Sequence, residues 1–233
     1  MNSLNQFSLT QEEVKAEQAS FMSKVYAWMG IALLITGITA WYVAQSQQLL
    51  EAIVMNRGMF FGLMIGELAL VFIISARINK LSAAAVTAMF VAYSLLNGLT
   101  LSILFVVYTS ASISSTFFIT SLTFGAMSAY GYFTKKDLTS LGNIMYMALI
   151  GIIIASVVNW FAQNEALYWI ISYVGVLVFT GLTAYDTQKI KQLSGIGLEG
   201  EAERKGAIMG ALTLYLDFIN LFIMLLRILG DRR

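Results

Sequence analysis

The segment Gly206–Leu229, GAIMGALTLYLDFINLFIMLLRIL, decides how the rest of the chain is read. It is apolar and long enough to cross a bilayer, yet Asp217 stands near its middle. A carboxylate at the centre of a membrane helix costs roughly 2.5 to 3.5 kcal/mol on insertion scales, so it faces protein or water and has a partner. At helical spacing, Gly206, Gly210, Thr213, Asp217, Asn220, Met224 and Arg227 fall on one stripe, and Leu, Ile and Phe cover the other faces. Such a helix is expected to lie among other helices, with the stripe against a cavity or a tight interface.

Outward from this segment the whole chain has the same character. Its 233 residues are 58% hydrophobic and 12% charged, with a mean hydropathy of +0.76, which excludes an ordinary soluble domain. Further apolar runs near the ~20 residues of a membrane helix cover residues 25–44, 58–76, 83–108, 113–133, 141–161 and 167–185. With 206–229 they predict an all-α integral membrane protein of seven spans. The first run is too long for a signal-peptide core and is expected to stay in the mature protein. Tyr26, Trp28, Trp41 and Tyr42 read as interfacial anchors. Residues 1–20 read as a polar cytoplasmic tail, and 189–205, KIKQLSGIGLEGEAERK, as the one sizeable hydrophilic loop. Gly62 with Gly66, and Gly125 with Ser128, are candidate sites of close helix approach.

Orientation follows from the basic residues. An inside amino terminus puts Lys15, Lys24, Arg77, Lys80, Lys135, Lys136, Lys189, Lys191, Arg204 and Lys205 on the cytoplasmic side, ten of the 14. Arg232 and Arg233 favour an alternative with six full spans, one re-entrant run and both ends inside.

The chain has no cysteine and no histidine, which removes disulfides, thiolate nucleophiles, Cys/His metal sites and Ser-His-Asp chemistry. It also has no proline, so glycine is the expected source of helix kinks. A net charge of +1 gives no sign of nucleic-acid binding. Chemistry is left to the few ionisable residues in or beside the spans: Glu67, Arg77, Asp186, Asp217 and Arg227. Asp217 lies about 16 Å from the start of its span, whereas Asp186 sits at the end of the sixth, so counting leaves them about 10 Å apart in depth. If they meet, they share a proton and titrate as a unit. Otherwise Asp186 is a solvated neighbour of Lys189, Asp217 hydrogen-bonds to a nearby helix, and Arg77 and Arg227 snorkel. The functional reading of Arg77 is a cationic latch on the aspartates.

The stretch GLTAYDTQKIK, residues 181–191, followed by LTLYLDFINLFIMLLRILG, residues 212–230, resembles the signature of the Bax inhibitor-1 (transmembrane Bax inhibitor motif) family. The resemblance takes in the hydrophobic pattern of essentially the whole chain and the KKDL at residues 135–138. It implies a bacterial inner-membrane protein of seven helices, the last central and six around it. The activity it implies is a pH-sensitive calcium leak, with Asp186 and Asp217 as proton sensor, Arg77 as latch and Glu67 as an acidic residue along a transient calcium pathway. Asn220 is expected to support the pair. No cofactor is expected, and calcium is the expected permeant ion. Two other readings remain: a regulatory protein that binds other membrane proteins, and an intramembrane aspartyl protease. The second lacks the Gly-x-Gly-Asp and Pro-Ala-Leu motifs of presenilin-type enzymes, since Tyr215-Leu216 precedes Asp217 and there is no proline.

Overall fold

A computed structural model describes residues 11–194 and 200–233. They form α1 (Gln11–Ala44), α2 (Gln47–Leu50), a π-helical turn (Glu51–Met55), α3 (Arg57–Arg77), α4 (Ala83–Leu101), α5 (Leu104–Val107), α6 (Ser110–Phe133), α7 (Thr139–Ala162), α8 (Glu165–Ser194) and α9 (Gly200–Leu229). No strand occurs among the described residues, only an isolated bridge between Tyr108 and Arg232. The starts of the helices are set by side chains that take up free amides: Asn56 Oδ1 accepts from Met59, Ser82 Oγ from Ala85, Thr109 Oγ1 from Ser112 and Asn164 Oδ1 from Leu167.

Seven of these helices are long. Six spans, with α4 and α5 counted together as Ala83–Val107 and α6 left out, are both long and apolar enough to cross a membrane. At 24 residues α6 matches them in length. Its apolarity is diluted by Ser112, Thr116, Thr120 and Ser128, a buried stripe turned toward α8 and α9. The hub is α9, which packs on α1, α4, α6 and α8. In its most apolar stretch 67% of residues are buried, against at most 39% in any other span. The outer helices α3 and α7 pack chiefly on α4 and α8, so the surrounding six form a close layer and two outriders.

Contacts near the ends give the direction of each helix. Lys24 of α1 pairs with Glu203 of α9 at 2.6 Å, and the Ala83 amide of α4 donates to Glu201 at 2.9 Å. At the opposite end of α9, the amides of Thr109 and Arg233 donate to Asp231 and Val107 carbonyls, each within 3.1 Å. Lys24 and Arg232 therefore lie at opposite ends of the bundle.

Four sequence expectations change. Helix α1 begins at Gln11, inside the stretch read as a tail; residues 1–10 lie outside the described part. The hydrophilic loop at 189–205 is largely helix, because α8 runs on to Ser194 and α9 starts at Gly200; 195–199 lie outside the described residues. The third span breaks after Leu101 without glycine or proline. There the Ser102 hydroxyl donates to the Leu99 carbonyl, and the Ile103 amide turns to the Thr100 carbonyl in place of its ladder partner. Finally, a Cβ on Gly62 or Gly125 would meet nothing within 4 Å, so these glycines face open space. The tightest approach is at Gly131, where a Cβ would lie 2.1 Å from the Ala184 carbonyl oxygen, and others are at Gly98, Gly142, Gly175, Gly181 and Gly210.

Candidate functional site

The register of α8 against α9 builds the site. Gly210 faces Ile190 and Gly175 faces Met224, each close enough that a Cβ would stand 2.9 Å from the neighbouring side chain. In that antiparallel register Asp217 is level with Thr183, three residues from Asp186, or about 4.5 Å along the axis. The depth mismatch expected from counting disappears. The sixth span does not stop at Tyr185, and the helix beyond it moves α9 along by more than two turns.

Asp186 and Asp217 face each other across the α8–α9 contact, near enough for each carboxyl to act on the charge of the other. Both residues are buried, at 3% and 5% exposure. Tyr146 of α7 is the third member: its hydroxyl lies 3.1 and 3.2 Å from the two carboxylate oxygens of Asp186 and donates to them. Asp217 Oδ2 is buried, and among the described residues no donor reaches it. The nearest cation along α8 is Lys189, whose ammonium lies 5.5 Å from the centre of the Tyr185 ring, which in turn stands edge-on to Tyr146. Next to Asp186, the Thr187 hydroxyl is bonded to Ser128 at 2.9 Å, and Ser128 to Tyr26 of α1. Tyr26 is thus a half-buried hydrogen-bonding residue, whereas Trp41 and Tyr42 are exposed as expected of anchors.

The remaining candidates are elsewhere. Glu67 lies on the α4 side of α9, accepting from Thr100 Oγ1 at 2.7 Å and Asn97 Nδ2 at 3.3 Å. Asn97 Oδ1 accepts from the Tyr215 hydroxyl at 3.0 Å, and that hydroxyl is 2.6 Å from Thr36 Oγ1 of α1. This second buried polar cluster escaped the sequence reading apart from Glu67. Arg77 is exposed at the end of α3, and among the described residues its guanidinium makes no ion pair or hydrogen bond, so the structure does not bring it to the aspartates as a latch. Asn220 donates to the Leu216 carbonyl of its own helix at 2.8 Å and does not support the pair. Arg227 lies 5.4 Å over the Tyr168 ring at the other end of the molecule, where Arg232 also donates to the Tyr168 hydroxyl. Among the described residues no three acidic side chains gather into a metal-binding group.

The architecture is that of a multi-pass helical membrane protein built round a buried central helix with a carboxylate pair against its neighbour. Residues 18–233 match the family model described as inhibitor of apoptosis-promoting Bax1, and the chain belongs to the Bax inhibitor-1 family. It is 54% identical to the inner membrane protein YbhL of Escherichia coli K12, over 94% of each chain. An uncharacterized protein of Borreliella burgdorferi is 45% identical over 97% of this chain and 98% of its own. An uncharacterized membrane protein of Streptococcus pyogenes serotype M1 is 38% identical over 95% and 96%.

Proposed function

We propose that this protein is a passive, pH-modulated cation leak of the bacterial inner membrane, with calcium as permeant ion and Asp186 and Asp217 as its proton-sensing pair. The observation that carries the reading is the buried Asp217 Oδ2, left without a donor beside a second buried carboxylate. A buried acceptor with no partner is costly. One proton held between the two carboxylates removes that cost and binds α8 to α9; loss of that proton leaves two like charges in contact. Tyr146 supplies one donor to this charge, and Lys189, one turn further along α8, acts on it without forming an ion pair among the described residues. Calcium suits hard carboxylate oxygens, and two of them with no third make a weak site that releases its ion. The end bearing Lys24, Lys80, Lys135, Lys136 and Lys191 faces the cytoplasm in this reading.

The sign follows directly. The proton-sharing pair holds the bundle closed, so leak rises with pH as the second proton is lost. The test is calcium entry into dye-loaded liposomes containing the full-length protein, across a series of pH values. Asp217→Asn keeps a neutral group able to donate to Asp186, and its flux is expected to stay low and flat with pH. Flux equal to that of empty vesicles at every pH overturns the leak. Flux in the wild type that ignores pH overturns the sensor alone.

A further inference from the structure

Helices α1 and α6 both pack on α9 but hardly on each other, touching through the Tyr26–Ser128 hydrogen bond. Between them runs an apolar groove. Its larger part, about 820 Å3, is lined by Met22, Tyr26, Phe124, Gly125 and Tyr132 among others, and a second hollow of about 500 Å3 continues between Leu33, Trp41 and Phe117. From Tyr132 to Phe124 the groove is about 12 Å long, close to the ~15 Å hydrocarbon half-thickness of a bilayer.

At its basic end the groove opens at Tyr132 into a polar recess lined by Lys135, Lys136 and Lys191, with Asp137 as the one acid. This recess is ordered in advance. Buried Gln188 of α8 accepts from the Leu138 amide at 2.9 Å and donates to the Lys136 carbonyl at 2.8 Å, fixing the turn that carries the two lysines. Lys191 donates to the Tyr132 carbonyl at 2.8 Å and lies 4.5 Å over its ring. Among the described residues, neither Lys135 nor Lys136 is in an ion pair. Thr139, through its hydroxyl and amide, holds the Asp137 carboxyl below the usual aspartate range and keeps it charged, so the recess carries a net positive charge.

The geometry points to a binding site for one anionic phospholipid, its phosphate in the Lys135–Lys136–Lys191 recess and an acyl chain in the α1–α6 groove. Charge complementarity selects the headgroup: each lysine near a membrane surface favours an anionic lipid several-fold over a zwitterionic one. Groove length and an apolar lining select the chain.

The experiment measures binding of phosphatidylglycerol and phosphatidylcholine to the purified full-length protein by native mass spectrometry. Wild type is expected to hold phosphatidylglycerol about tenfold or more tightly than phosphatidylcholine, and Lys135→Gln with Lys136→Gln to reduce that preference to about threefold or less. Gly125→Trp fills the groove from a position where a Cβ meets nothing within 4 Å, and is expected to weaken both lipids with the lysines intact. Equal binding of the two lipids by wild type, a preference that survives the lysine changes, or unchanged binding of both lipids by Gly125→Trp overturns the site. Displacement of phosphatidylglycerol by inorganic phosphate assigns the recess to a free anion and overturns the lipid. Because the chain has no cysteine, Gly125→Cys gives one label position, and a disulfide-linked dimer through it assigns the groove to a second copy instead.

Discussion

Tyr215 has its hydroxyl between Thr36 of α1 and Asn97 of α4, and Asn97 in turn donates to Glu67. Removing that oxygen leaves Asn97 Oδ1 short of a donor in the bundle core. Tyr215→Phe is expected to destabilise the protein by about 0.6 to 1.7 kcal/mol, the range of interhelical hydrogen bonds in membranes, measured by unfolding in mixed micelles. A loss within error would show that the cluster adds nothing to stability. The sequence revealed some of these residues and not others, for a physical reason. Asp186, Asp217 and Glu67 stand out because a carboxylate in an apolar run has few places to go. Tyr146, Tyr215 and Thr36 do not, because a hydroxyl in such a run is equally at home facing lipid, an interface or a backbone carbonyl. Asn220 lies on the stripe with Asp217 and still bonds only to its own helix.

Among the elements, α6 and α8 approach most closely where Gly131 meets the Ala184 carbonyl, two residues from Asp186. A methyl group there meets backbone on a packed helix, which cannot yield as a side-chain end does. Gly131→Ala is expected to cost about 1 to 3 kcal/mol and to lower the melting temperature, while Gly125→Ala on the same helix leaves it unchanged. Equal melting of the two variants would refute the close approach. The sequence offered Gly62, Gly66 and Gly125 for this part on spacing alone, and spacing does not say which face of a helix meets protein. The end of α8 was misread for a related reason: Lys189 and Lys191 look like the start of a loop, but hydrophilic residues continue a helix as readily once it leaves the hydrocarbon. Lys191 does so while bonding to the Tyr132 carbonyl.

At the scale of the molecule, the hydrophobic pattern marks the helical class, and the polar stripe on α9 marks a helix enclosed by others, whereas its place at the centre came from the family resemblance. The closing of the far end was not legible. Backbone bonds of Thr109 to Asp231 and Arg233 to Val107 tie the carboxyl end to the α5–α6 junction, and no residue type announces them. Deleting residues 231–233 is expected to raise amide exchange at Thr109 and Ser112, read by hydrogen–deuterium exchange, without altering exchange near Lys24; unchanged rates at both ends would show that the tie does not order the junction. One consequence follows from the two polar clusters on α9. Tyr215 and Asp217 are two residues apart and so about 200° apart around the axis, one turned to α1 and α4 and the other to α8. A roll of α9 that parts the carboxylates also strains the hydroxyl chain behind it, so the helix is a shaft with a stop on each side. Tyr215→Phe combined with Asp217→Asn should therefore show a non-zero coupling energy although the two side chains share no contact, and strict additivity would mean that α9 does not turn as one body.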